Sequence, residues 1–193
     1  MHGTESVSSW VTRWSHLVAP QSRVLDVACG AGRHTAHFLK QNCHVAGIDI
    51  AQTALDLIAN QITPEQAERC ELICADIENK PWPKELQSRQ FDAVIVTNYL
   101  WRPLLPTLMQ SLADGGVLIY ETFAQGNETV GKPSRPDFLL KSGELLQVCS
   151  EAGLRVIAYE DGFLPAPERF MQRIVALREK SSSNLPPRHA LQA

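Results

Sequence analysis

Residues 24–34 read VLDVACGAGRH, and no other stretch of the chain restricts the fold so tightly. Val-Leu-Asp-Val-Ala is a short apolar run with one acid inside it, the pattern of a buried strand, and Gly30-Ala31-Gly32 is a turn. Residues 33–40 continue as a helix, so a strand, a glycine turn and a helix follow one another. Glycines at 30 and 32 have no Cβ, which allows a sharp turn and lets a ligand lie on bare backbone at a helix N-terminus, where amides are unpaired. A nucleotide-like ligand is expected there.

A glycine turn of this kind also serves dinucleotide-binding folds, so the acid beside it carries the discrimination. Asp26 lies four residues before Gly30, where a dinucleotide-binding strand carries an apolar residue, and position 35 is Thr rather than a third glycine. A carboxylate serves an anionic pyrophosphate poorly and a cationic ligand well. S-adenosylmethionine carries an ammonium and a sulfonium, and no phosphate. VLDVACGAGR resembles the first motif of the class I S-adenosylmethionine-dependent methyltransferases, D/E-x-G-x-G-x-G, with Ala28 in place of the first glycine. The resemblance implies S-adenosylmethionine as cofactor, with Asp26, Ala28, Gly30, Gly32 and Arg33 around its methionine end.

The following segments keep to an alternating strand and helix order. Residues 43–50 form a second strand, and Asp49 comes seventeen residues after Gly32, where a carboxylate can accept from both ribose hydroxyls. A plain helix N-cap for residues 51–62 is the alternative, and Ile50 is its neighbour on the cofactor side. Residues 70–75 make a third strand ending at Asp76. The methyltransferase resemblance implies that Asp76 accepts from the adenine amino group and that Ile77 packs on the ring; a solvated loop acid is the other reading. Residues 91–97, FDAVIVT, are apolar enough for a central strand of a parallel sheet, and Asn98-Tyr99 follow at its carboxyl edge. That pair resembles the Asn-Pro-Pro-Tyr of amino-group methyltransferases without its prolines, and a structural or cofactor-facing Asn98 is the stronger reading.

The leucines of residues 103–113 share one helical stripe, which makes them core, and Asp114-Gly115-Gly116 stops that helix before a fifth strand at 117–120. Residues 142–152 form a further helix, and 154–159 and 172–177 two further strands, joined through Glu160-Asp161-Gly162 and a proline-containing loop. The arrangement is similar to the family's terminal hairpin. It implies a Rossmann-like, doubly wound, seven-stranded α/β sheet, mostly parallel with an antiparallel last strand, and helices on both faces. SRPDFLLKSGELL after the fifth strand also resembles small bacterial methyltransferases, including tellurite-resistance and thiopurine-type enzymes, and NYLWRPLLP, YETFAQGNE and AYEDG resemble further small proteobacterial methyltransferases.

Length and composition fit a single domain over residues 1–179, a methyltransferase domain by the resemblance above, with a polar, mobile tail expected at 180–193. Eighteen basic against twenty-one acidic side chains leave a net charge of −3, which makes nucleic acid an unexpected partner. No apolar run nears eighteen residues and no leader pattern opens the chain, so a cytoplasmic, non-membrane protein is expected. Five cysteines, mostly inside apolar runs, suit reduced thiols, and no spacing of Cys or His suggests a metal site. Trp10, Trp14, Leu17 and Val18 give residues 8–18 one apolar helical face, either packed on the sheet or capping the cofactor.

Residues 124–141 are too long for a connector and leave the fifth strand where an acceptor must approach, so they read as an acceptor lid, with Lys132 and Arg135 favouring an anionic substrate. The expected reaction is in-line methyl transfer to a small-molecule acceptor, anionic or a thiol or chalcogen. A macromolecular acceptor and a non-catalytic S-adenosylmethionine-binding protein are the alternatives. Tyr99, Glu121 and His34 are the candidates for a general base.

Overall fold

The protein is described by a computed structural model over residues 6–180. Seven strands, β1 (Arg23–Val27), β2 (His44–Asp49), β3 (Cys70–Cys74), β4 (Phe91–Thr97), β5 (Leu112–Phe123), β6 (Arg155–Pro165) and β7 (Glu168–Leu177), form one sheet in the order β3-β2-β1-β4-β5-β7-β6. The first five pair in parallel, and β7 runs antiparallel to both β5 and β6. The expected α/β architecture is the one observed.

Strand alternation divides the core into two layers. Leu25, Val27, Val94, Val96, Leu118 and Tyr120 point to one face, covered by α5 (Leu105–Gln110) and α6 (Glu144–Glu151). Val24, Val45, Ala93, Ile95, Val117 and Ile119 point to the other, covered by α1 (Ser9–Trp14) and α2 (Arg33–Lys40). Two further helices, α3 (Gln52–Gln61) and α4 (Pro64–Ala67), connect β2 to β3. The apolar face of α1 is therefore core: Trp10 and Trp14 are each 2% exposed, and the Trp10 indole N–H donates to the Ile174 carbonyl at 3.3 Å. No helix among the described residues is long and apolar enough to cross a membrane.

Three elements differ from their sequence-based expectations. The helix over 103–113 ends at Gln110, because Leu112 pairs with Phe91 and starts β5 early; the register then shifts before Ala93 meets Val117. Gly116 sits in that irregularity, where a Cβ would lie 2.9 Å from the Phe91 carbonyl oxygen. Residues 160–165, expected as a connector, continue β6, since Glu160 and Asp161 pair with Arg173 and Gln172. The helix α4 was not expected, although Thr63 and Gln66 form a capping box around it. All but the first residue of the 180–193 tail lie outside the described residues.

Candidate active site

The chain crosses to β2 on one side of β1 and to β5 on the other side of β4, so the sheet order reverses between β1 and β4. In an open α/β sheet that reversal leaves a crevice at the strands' carboxyl ends. A cavity of about 770 Å3 occupies it, within the range of small-molecule sites. Its floor is the loop after β1, its walls the ends of β4 and β5, and its roof comes from residues 127–138 and from the β6–β7 turn.

The glycine loop is held in a left-handed conformation at Ala28, Gly30 and Gly32, with φ of 52°, 54° and 78°. Only glycine fits at 32, where a Cβ would sit 2.5 Å from Ile58 Cγ1 of α3. Gly30 is the reverse case. A Cβ there would meet nothing within 4 Å, so its backbone borders open space. The Gly30 amide donates to Asp49 Oδ2 at 2.8 Å and the Ala51 amide to Asp49 Oδ1 at 2.9 Å, so one carboxylate joins the end of β2 to the loop.

Ala28, Gly30, Arg33 and Asn98 line the cavity, while Asp26, Gly32, Asp49, Ile50, Asp76 and Ile77 do not. Asp26 points beneath α2, is 1% exposed, and accepts from the Thr35 hydroxyl at 2.7 Å. Burial raises its pKa to about 6 against the lowering effect of the Thr35 hydrogen bonds. Its place is behind the loop. Asp49 touches the wall through Gly30. Ile50 is 66% exposed beyond the end of β2, and Ile77 packs against the sheet core. Asp76 accepts from the Glu78 and Asn79 amides, and the Asn79 bonds above all hold its carboxyl below the ordinary range.

Among the candidate bases, His34 and Tyr99 line the cavity and Glu121 does not. The His34 Nε2 accepts from the Ser8 amide at 3.3 Å, which leaves the proton on Nδ1, 3.3 Å from the Thr97 hydroxyl. Burial lowers its pKa to about 3. His34 is thus a neutral clip between α2, β4 and the segment before α1, with both ring nitrogens engaged. Burial, then the Glu78 carboxylate, push the Tyr99 phenol above its ordinary value. Glu121 lies on the opposite face, 4% exposed, its carboxylate 3.0 Å from Arg173 Nε, whose guanidinium also stacks over Trp10. It packs with Arg173 near α1 and does not line the cavity.

Residues 124–141 are closed at their base, where the Gln125 amide donates to the Leu140 carbonyl and the Leu140 amide to that of Phe123. Asn127, 1% exposed, pins the loop: its Nδ2 donates to the Pro133 carbonyl and its Oδ1 accepts from the Phe170 amide of β7. Lys132 reaches the cavity, but Arg135 does not, being paired with Asp137 at 2.9 Å in an exposed position. The β6–β7 turn adds Pro167, Glu168 and Arg169, which the sequence reading missed because it ended both strands short of the turn.

Residues 24–116 match the model of the methyltransferase domain family. That stretch, a little under half of the chain, runs from β1 into β5 and includes the glycine loop. Over 93 residues the chain is 33% identical to the biotin biosynthesis bifunctional protein BioHC of Cellvibrio japonicus, covering 48% of this chain and 17% of that protein. Over 127 residues it is 29% identical to a malonyl-[acyl-carrier protein] O-methyltransferase of a Paenibacillus species, covering 62% and 45% of the two chains. The chain thus spans less than half the length of these curated relatives. In fold it is similar to TehB of Haemophilus influenzae, with a TM-score of 0.72 at 17% identity, over 93% of this chain and 64% of that one.

Proposed function

We propose that this methyltransferase domain acts on a small molecule, transferring the methyl group of S-adenosylmethionine in line to an acceptor bound under the 124–141 loop. The observation that carries the reading is the open backbone of Gly30 at the cavity floor, joined to the Asp49 carboxylate at the end of β2. We assign the methionine end to the backbone of Gly30 and Ala31 on the cavity lining, the ribose hydroxyls to Asp49, which is bonded to that loop, and the adenine face to the exposed Ile50 side chain. Asp26 supports the loop from behind through Thr35, Asp76 and Ile77 are assigned to the adenine side, and Asn98, in a left-handed conformation with φ 55°, presents its side chain at the end of β4.

The cofactor supplies a methyl group already bound to a good leaving group, so the protein's work is alignment and exclusion of water. The 127–138 segment and the hairpin turn do this by roofing the cavity, and Asn127 ties the two together. Residues 1–179 are assigned to the one domain. The five free thiols fit a reducing compartment, and we assign the protein to the cytoplasm.

A thermal-shift series tests the reading. S-adenosylmethionine or S-adenosylhomocysteine at a hundred times Kd should stabilise the fold by about 2.7 kcal/mol, and NAD should not. No shift with either sulfur nucleoside, or an equal shift with NAD, would sink it. Radiolabel transfer from the methyl donor to small molecules of a cell extract, and not to its protein or RNA fraction, checks the acceptor class.

A further inference from the structure

The chain leaving β4 puts Tyr99 and Leu100 on the cavity wall and, two residues further on, an arginine that does not line it. The Arg102 guanidinium holds four acceptors. Its Nε and Nη2 fork onto the Glu144 carboxylate at the start of α6, at 2.7 and 2.9 Å. Nη1 donates to the Asp137 carbonyl at 2.7 Å, and Nη2 also to the Leu139 carbonyl at 2.8 Å. Those carbonyls stand on either side of Phe138, which lines the cavity.

The turn at Pro136–Phe138 is closed by its own bonds, from the Phe138 amide to the Arg135 carbonyl and from the Leu139 amide to that of Pro136. They shape the turn without fixing its place over the cavity. Residues 134–137 are exposed, whereas Phe138 is half-buried. The Arg135 guanidinium carbon lies 5.2 Å over the Phe138 ring, its charge paired with Asp137, so one ring face is already taken. Leu100, Phe123 and Pro133 line the same cavity, which makes its lining apolar as well as cationic. A guanidinium carries five donors in a rigid plane, so its bonds fix the mutual position of several acceptors. An ammonium has three donors on one atom and cannot span a carboxylate and two separate carbonyls.

We infer that Phe138 is the wall on which the apolar part of the acceptor packs, and that Arg102 is the positioning residue that holds it there. The inference rests on the small-molecule methyltransferase reading above and adds the side chain that selects among acceptors. Packing of this kind depends on contact distance, since a gap of about 0.5–1 Å forfeits about a quarter to a half of the attraction between two atoms. A turn gripped on both sides of its one inward ring keeps that distance fixed. Because the same guanidinium belongs to the chain leaving β4, the Tyr99–Leu100 wall and the Phe138 wall are braced as one unit.

Three variants of the full chain test it: Phe138→Ala, Arg102→Lys and the two combined. Label transfer from S-adenosylmethionine is measured against increasing amounts of the small-molecule fraction of a cell extract. Each single variant should raise the half-saturating amount of that fraction at least ten-fold, with a smaller change in the maximal rate. The double variant should be no worse than Phe138→Ala, because Arg102 acts through that ring. Amide exchange is followed by NMR on wild type and Arg102→Lys, both bound to S-adenosylhomocysteine. The Phe138 and Leu139 amides should exchange at least five-fold faster in the variant, while β1 and α2 keep their wild-type rates and the Kd for S-adenosylhomocysteine stays within two-fold. Wild-type half-saturation in either single variant, additive losses in the double variant, or unchanged exchange at residues 138 and 139 overturns the inference. Faster exchange in every element alike also overturns it, since Arg102 would then serve the whole fold and not the ring. A wild-type chain that binds S-adenosylhomocysteine but labels nothing in the fraction is a different result: it strikes the small-molecule reading itself, and the acceptor role of Phe138 with it.

Discussion

Asp49 holds the fold together at the position proposed above for the ribose. Its two carboxylate oxygens accept from Gly30 and Ala51 amides, so it sets the glycine loop's position before any ribose is near. Asp49→Ala therefore removes two charge-assisted hydrogen bonds as well as the ribose acceptor, and should weaken S-adenosylhomocysteine binding by more than about 1 kcal/mol. Asp49→Asn keeps one acceptor oxygen and should lie between that variant and wild type. Calorimetry on the three proteins decides; equal affinities would remove Asp49 from the cofactor site. Asp26 makes a contrast. Its position in the motif was legible, but a carboxylate 1% exposed under Thr35 acts on the loop's shape rather than from the wall. Sequence spacing located both acids without saying which way either side chain points.

At the level of elements, apolar runs and glycine turns were enough to place β1 to β4 and α2 in order, because each has a pattern set by its own burial. The hairpin was less legible. Its outer half, residues 160–165, holds Glu, Asp and Gly and is a strand only because β7 supplies the register. The cationic part of the roof was misread for the same reason, since Arg169 is brought to the cavity by that pairing and Arg135 is drawn away by Asp137. The N-terminal helix shows the opposite outcome, in that its amphipathic pattern left two placements open and packing selects one. The Trp10 ring lies 5.8 Å from the Arg173 guanidinium carbon, beside the Arg13–Glu160–Arg173–Glu121 group of charges. Trp10→Ala should destabilise the protein by about 3–5 kcal/mol, as for other buried aromatic truncations. Urea unfolding would measure it, and a loss under about 1 kcal/mol would mean that α1 is not core.

For the whole molecule, the two buried titratable groups beside the glycine loop give opposite pH dependences. His34 has a folded pKa of about 3, below its unfolded value near 6.5, so the unfolded chain takes up the proton first. The stability that goes with its neutral form is complete above the unfolded value and is lost as pH falls from about 6.5 towards 3. Asp26 has a folded pKa of about 6, above its unfolded value, so the folded chain takes up the proton first and gains stability as pH falls from about 6 towards 4. Over that shared window the two effects offset each other, and below it Asp26 is protonated in both states while His34 continues to oppose folding. His34→Gln retains hydrogen-bonding groups near Ser8 and Thr97 but removes the titration, leaving Asp26 uncompensated. Its stability relative to wild type should therefore rise by about 3 kcal/mol as pH is lowered from 7 to 4, at about 1.4 kcal/mol for each pKa unit crossed. Urea unfolding of the two proteins at both pH values measures the difference. A constant gap would show that folded His34 takes up its proton as readily as the unfolded chain does, and the neutral clip between α2, β4 and the segment before α1 would then be wrong.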